Sequence, residues 1–254
     1  MNVFFKLPVS ASNSIGTLDA GDVYDAANFF PTIEEGAWGH WTLSTDLIDS
    51  TSNKLLSPTA QTDYIFENNT LKLSSISQAV RKGFNTGFRG VGTTGFTVCV
   101  VAKQSGLVNG FAAIAGNQQD SRTGSLLVYS NQVAGYATGL NFTNAPNAQL
   151  DTTKWFFAAA SYSNDENVVR RMVVESGDYS FTNEFTGIGR ITDPAQSNAF
   201  NSVCLGVTQV SNATDTVDLD FGEFIVFNSA LSVADMKNLA FKSKKRMKNK
   251  GIII

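Results

Sequence analysis

From about residue 64 to residue 227 the chain is a succession of short apolar runs separated by polar breaks. The runs are LKLSSI (71–76), GFTVCVVAK (95–103), FAAIAG (111–116), SLLVYS (125–130), WFFAAASY (155–162), VVRRMVVES (168–176), VCLGVTQV (203–210) and FGEFIVF (221–227). Each has the length of a strand. The breaks are rich in Gly, Asn, Asp, Ser and Thr, which enter turns at little steric cost. Several runs are apolar on both alternations. In FGEFIVF, Phe221, Ile225 and Phe227 share one side and Phe224 and Val226 the other. Such a strand is expected to be covered on both faces, by a second sheet or by a packed helix. Short strands at regular spacing, without long helices between them, predict an all-β, two-sheet antiparallel sandwich or jelly roll.

Two segments break this pattern. Asp19 precedes AGDVYDAANFF, and Pro31 follows, which predicts a short helix over about residues 20–29. Near the C-terminus, Ser232 precedes VADMKNLAFKSKKRMKNK, with Asp235 placed to complete a capping box. Val233, Met236, Leu239, Ala240 and Met247 fall on one face, so a helix of about 12–16 residues should lay that stripe on the sandwich. The final GIII is strongly apolar and predicts either an edge strand or a partner contact.

Composition narrows the class. Of the 254 residues, 16% are charged, against about 25% in a typical soluble domain, and 43% are hydrophobic. That is too apolar for a disordered chain and too poor in charge for a coiled coil. No apolar run approaches the ~20 residues of a membrane-spanning helix. The formal net charge of −3 averages two unlike parts. Residues 232–254 hold seven Lys and Arg against one Asp, and the remainder holds 12 basic against 21 acidic groups. Contact between such parts on different molecules would be electrostatically favoured and salt-sensitive. Cys99 and Cys204 lie in apolar runs, lack CxxC spacing and read as buried free thiols. The first residues carry no basic start and too short an apolar stretch for a signal peptide, so synthesis in a host cytoplasm is expected.

The stretch DLDFGEFIVFNSALSVADMKNL resembles the final strand and helix of laminin-G-like, concanavalin A-like domains, through Glu223, Ile225, Phe227, Asn228, Ala230, Leu231, Ser232 and Asp235. LSTDLIDSTSN (43–53), GFTVCVVAK, IAGN (114–117), KWFFAAASYS (154–163) and CLGV (204–207) resemble earlier parts of that family in the same order. The resemblance covers about residues 41–250. A basic terminal helix with a Gly-Ile tail is similar to versions found in bacteriophage structural proteins. The resemblance implies a lectin-like jelly roll over 41–254 and an N-terminal arm or docking segment over 1–40. It further implies a non-enzymatic virion component: a tail fibre, baseplate or capsid-decoration module. Other virion proteins and a host surface glycan are the expected partners, with a homo-oligomer, a trimer by analogy with fibre tips. Neither nucleic acid nor membrane insertion is expected.

Candidate chemistry is sparse. In Asp218-Leu219-Asp220-Phe221-Gly222-Glu223, a bulge at Gly222 would bring Glu223 onto the face of Asp218 and Asp220. Glycosidases of this fold carry a related motif, and two carboxyls about 5–5.5 Å apart would act as nucleophile and acid/base. This makes a glycoside hydrolase the alternative function, beside a dedicated carbohydrate-binding module; an ion-pairing role for the carboxylates is the simpler one. No cofactor is expected. Asp215, Asp218 and Asp220 are candidate ligands for calcium, a hard cation that takes carboxylate oxygens. Tyr129 and Tyr136 flank SNQVAG, read as a hairpin turn, and with Asn131 and Gln132 form the candidate sugar site. Trp38, His40 and Trp41, together with Lys244, Lys245 and Arg246 of the basic helix, are candidate assembly contacts.

Overall fold

The computed structural model describes residues 33–59, 62–77, 82–88, 95–105, 111–117, 125–129, 132–136, 148–163, 165–166, 168–175, 180–186, 202–206 and 216–254. The helix expected over 20–29, Asn131 and Asp215 lie outside these residues. A short 3-10 turn, Ile33–Gly36, opens the described chain. The strands follow in order: β1 (Gly39–Trp41), β2 (Ser57–Pro58), β3 (Tyr64–Glu67), β4 (Thr70–Ser77), β5 (Gly83–Asn85), β6 (Gly95–Ser105) and β7 (Phe111–Asn117). Then come β8 (Ser125–Tyr129), β9 (Gln132–Tyr136), β10 (Ala148–Gln149), β11 (Phe156–Ser163), β12 (Val168–Glu175), β13 (Ser180–Thr186), β14 (Val203–Gly206) and β15 (Thr216–Phe227). A single helix, α1 (Val233–Asn249), closes the described chain.

The strands form two antiparallel sheets, and the expected sandwich is present. One sheet runs β13-β12-β11-β6-β15-β4-β3, with β1 also paired to β15. The other runs β10-β9-β8-β7-β14-β5-β2. The chain passes repeatedly from one sheet to the other, as in a jelly roll. Between the sheets lies a core of Trp41, Leu73, Val98, Val100, Phe156, Tyr162, Phe221 and Phe224 from the first, met by Phe84, Ile114 and Leu205 from the second. Trp41 stacks on Phe224 with ring centroids 5.4 Å apart.

The first sheet is covered on both faces, as the two-sided apolar runs require. Cys99, Val101, Phe157, Met172, Ile225 and Phe227 face away from the sandwich interior, onto Met236, Leu239 and Met247 of α1. Fully burying one such side chain contributes about 1.5–3 kcal/mol. The expected alternation in FGEFIVF needs one correction. A register shift between Phe221 and Glu223 turns the strand phase by one residue. Phe221 therefore joins Phe224 and Val226 inside the sandwich, while Glu223, Ile225 and Phe227 face the helix. The close packing over Gly222 explains the glycine. A Cβ there would meet Met247 Sδ at 2.9 Å.

Helix α1 starts as the sequence predicts. Asp235 N–H donates to Ser232 Oγ at 3.1 Å, and Ser232 N–H donates back to Asp235 Oδ2 at 3.3 Å. It is 17 residues long and ends in a Schellman motif. Ile252 N–H donates to Met247 O, and Gly251 N–H to Lys248 O, with Gly251 at φ +79°. This turn sends the tail back onto the sheet. Ile252 and Ile254 are buried in the layer beneath α1 and Ile253 is exposed, so the tail packs on its own chain and adds no edge strand.

The boundary expected at residue 40 falls inside the sandwich. Gly39, His40 and Trp41 pair with Val226, Ile225 and Phe224 of β15. Glu34 is buried and bonded to α1. Residues 33–40 thus belong to the body of the fold.

Candidate functional site

The densest cluster of polar chemistry among the described residues lies under α1, around Glu223. The bulge at Gly222 delivers this carboxylate to the helix face of β15, where it is completely buried. His40 Nε2 donates to its Oε1 at 2.8 Å. Ser243 Oγ donates to Oε2 at 2.5 Å. Arg246 adds two bonds, Nε to Oε1 at 2.5 Å and Nη2 to Oε2 at 3.2 Å. The same arginine reaches back to Glu34 Oε1 through Nη1, and Lys242 Nζ lies 3.5 Å from Glu34 Oε2. One α-helical arginine thus ties the last strand to the 3-10 turn.

The electrostatics keep Glu223 and Glu34 ionised at neutral pH. Burial works to raise the Glu223 pKa, but the His40 hydrogen bond and the Arg246 charge outweigh it and hold it down at about 2. Burial likewise opposes ionisation of Glu34, and the Arg246 charge keeps its pKa below the usual carboxylate value. Lys250 caps the arrangement by donating to Gly222 O at 2.8 Å and to Thr42 O. Burial pushes its pKa down to about 8.

A second set of bonds fixes the strand that carries His40. Asp49 accepts from the His40 backbone N–H and the Ser52 N–H, each at 2.6 Å, and from Thr51 Oγ1 at 2.9 Å. Burial works to raise its pKa, but the Ser52 hydroxyl, which also donates to Asp49, together with these bonds lowers it to about 2. Trp41 Nε1 donates to Lys54 O at 3.0 Å. Lys54 Nζ in turn donates to Trp38 O at 2.6 Å and sits 4.6 Å from the Trp38 ring centroid.

These contacts relocate much of the expected assembly surface. Trp41 is core, His40 and Arg246 are committed to Glu223, and Trp38 is half-buried against Trp41 and Phe88. Lys244 and Lys245 do lie on the outer side of α1. The bulge expected in the carboxylate motif is present, and Asp218, Asp220 and Glu223 fall on one face of β15. Yet Glu223 is sealed under the helix, and Asp220 lies 3.2 Å from Lys103 Nζ with Lys72 as its cross-strand partner on the other side. Among the described residues, no group of three His, Cys, Asp or Glu side chains is placed to hold a metal ion. The candidate sugar residues meet differently from the reading of SNQVAG as a turn. Gln132–Tyr136 is strand β9, and Tyr129 and Gln132 are cross-strand partners next to a two-residue connection. Tyr136 pairs with Ser125, so the register sets Tyr129, Gln132 and Tyr136 on one alternation of the hairpin.

Comparison with known proteins bears on the fold. No family model matches this chain, and no curated protein does. Solved structures match the fold. The binding domain of botulinum neurotoxin serotype D matches with a TM-score of 0.52 at 12% identity, over 84% of this chain and 53% of that one. The binding domain of botulinum neurotoxin DC, solved in complex with rat synaptotagmin II, matches with a TM-score of 0.55 at 13% identity, over 84% and 52%. Trypanosoma rangeli sialidase in complex with sialic acid gives 0.55 at 13% identity, over 84% and 33%. The chain spans about half the length of the neurotoxin domains and a third of the sialidase. At these identities the likeness shows a shared sandwich.

The sequence contained signals for the buried network that pattern reading passed over. A Glu inside the apolar run FGEFIVF has no solvent and must find a buried cation. The helix supplies it at Arg246, one turn after Ser243 and four residues after Lys242. Glu34, Asp49, Ser243 and Lys250 were the residues missed.

Proposed function

We infer that this chain is a non-enzymatic, lectin-like module of a bacteriophage structural protein, carried on the virion and binding host surface glycans. The observation that carries the non-enzymatic part is the state of Glu223. The residue that would serve as acid/base is buried beneath α1 and bonded to His40, Ser243 and Arg246, so its carboxylate works as a structural anchor. Glycan binding draws support from the fold, which is shared with neurotoxin binding domains and with a sialidase solved with sialic acid. The phage assignment rests on the resemblance of the terminal strand, basic helix and Gly-Ile tail. The β8–β9 hairpin, with Tyr129, Gln132 and Tyr136 on one alternation, is the proposed sugar site. Aromatic faces stack on sugar rings and the amide matches hydroxyls.

The test is a glycan array that includes sialylated glycans and bacterial surface polysaccharides, run beside a reducing-sugar assay on every glycan that binds. Saturable binding without release of reducing ends supports the reading. Release of reducing ends that Glu223→Gln abolishes, in a variant that keeps its fold, would make the protein a glycosidase instead.

A further inference from the structure

The cations of α1 and its tail face two ways. Lys242, Arg246 and Lys250 turn inward, onto Glu34, Glu223 and the carbonyls of Thr42 and Gly222. Lys237, Lys244 and Lys248 are exposed, and among the described residues none of the three is paired with a carboxylate. At helical spacing, positions 237, 241, 244 and 248 fall within one arc of the helix surface and extend over about 16 Å. Phe241 stands among these lysines, 50% exposed, with Lys245 Nζ 4.8 Å from its ring centroid. The one carboxylate of α1, Asp235, is held in the capping box at its start. The stripe therefore carries positive charge along its length and one aromatic near its middle.

The chemistry of the stripe sets the kind of partner. Its charges are ammonium groups, compact point charges that answer to the field of an extended anionic surface. The only guanidinium of α1, the group suited to gripping a single phosphate or carboxylate through two bonds, is committed to Glu34 and Glu223. Every side chain of the stripe comes from one helix on the outside of the sandwich, whereas pockets for small ligands gather polar groups from several elements around a concavity. The charge distribution adds an orientation. Residues 232–254 hold seven basic groups against one acidic, and the remainder holds 12 against 21. Near a negatively charged plane the acidic remainder is repelled and the basic helix attracted, so the molecule turns α1 toward the plane. The apolar stripe of α1 is buried on the sheet, which leaves Phe241 as its one exposed large apolar side chain, free to enter a headgroup layer.

We propose that the outer stripe of α1 docks on the surface of an anionic lipid bilayer, with Lys237, Lys244, Lys245 and Lys248 resting on acidic headgroups while Phe241 enters the headgroup layer between them. Four lysines on one helix form the kind of basic cluster that an anionic leaflet attracts. The contact is peripheral, and among the described residues no helix is long and apolar enough to cross a membrane. A few lysines and one aromatic give a weak attachment, reversible and governed by salt. The stripe lies over the first sheet and the β8–β9 hairpin belongs to the second, so a failed glycan array leaves this proposal standing.

The experiment is co-sedimentation of the full chain with vesicles of phosphatidylcholine alone and of phosphatidylcholine with about 30% phosphatidylglycerol, at low salt and in about 0.5 M salt. Binding is expected to the anionic vesicles and not to the neutral ones. It should weaken at least about tenfold at high salt, where screening acts within a few ångströms. Each lysine near an anionic surface is worth about fivefold in affinity, so K237Q/K244Q/K248Q should bind on the order of a hundredfold more weakly, with an unchanged thermal midpoint. Phe241→Ser should weaken binding a few-fold and leave its salt dependence as it was, which supplies a charge-independent disruption. A wild type that stays in the supernatant with anionic vesicles at low salt overturns the proposal. So does equal binding to neutral vesicles, or a triple variant that binds as the wild type does. Retention on heparin or on duplex DNA without vesicle binding assigns the stripe to a polyanion and overturns the proposal equally.

Discussion

Replacing Glu223 by Gln tests the buried network most sharply. The change keeps the volume and removes the charge. Arg246 donates to both carboxylate oxygens, so the new amide must turn its NH₂ toward a guanidinium N–H at either position, setting donor against donor at a site without solvent. Arg246 keeps Glu34 but loses its buried partner. Removing one member of a buried ion pair costs about 3–5 kcal/mol. Proton linkage gives a second route to the magnitude. A carboxyl whose pKa falls from 4.5 to about 2 on folding contributes roughly 3 kcal/mol at neutral pH. Because the folded pKa is the lower one, this stability is fully present above about pH 4.5 and is lost as the pH falls toward 2. Urea unfolding of wild type and variant, at pH 7 and in steps from pH 5 to 2.5, reads both effects. The expected gap is about 3 kcal/mol at pH 7, closing through the acid range. Glu34 is present in both proteins, so its own titration largely cancels. A gap below about 1 kcal/mol at pH 7, or one that does not change with acid, would refute the reasoning.

Other consequences follow from single residues. Lys250 is held below its ordinary pKa, at about 8, so the unfolded chain binds its proton more tightly. Wild type should gain stability relative to Lys250→Met as the pH rises from 8 to 10.5, seen in paired urea midpoints. Gly95→Ala should cost about 3 kcal/mol or prevent folding, since its Cβ would lie 2.1 Å from the Tyr162 carbonyl oxygen, a backbone atom that cannot yield. Circular dichroism melts measure that loss. Cys99 and Cys204 are buried thiols outside any disulfide, and burial together with the nearby Glu223 charge raises the Cys99 thiol pKa well above its usual value. Ellman's reagent should find almost no reactive thiol in the native protein and two in denaturant.

The sandwich was legible because its signal is local. Runs such as GFTVCVVAK and WFFAAASY pack both faces with apolar residues, and the strands β6 and β11 fall on them. The cap at Ser232 and the stripe Met236, Leu239, Ala240 and Met247 located α1 for the same reason. The short strands β1, β2, β5 and β10 carry two or three residues each and no periodicity to read. Their pairing is fixed by partners far along the chain, as when His40 meets Ile225. The polar network was hidden by the same distance: His40 and Glu223 are 183 positions apart. The basic helix sends its charges in two directions. Lys237, Lys244 and Lys248 are outside, whereas Lys242 and Arg246 turn inward because two buried carboxylates, Glu34 and Glu223, require compensation there. The strand phase in FGEFIVF shows how one bulge reverses every assignment before it.

We propose that this sandwich binds a glycan without cleaving it, at the β8–β9 hairpin. Calorimetric titration of the wild type and of the variant Tyr129→Ala/Gln132→Ala/Tyr136→Ala with a glycan drawn from the array tests it directly. The expected result is saturable binding by the wild type, an intact sugar recovered afterwards, and at least about tenfold weaker binding by a variant that melts at the same temperature. Equal affinity in the two proteins would contradict the site, and a hydrolysed sugar would contradict the function.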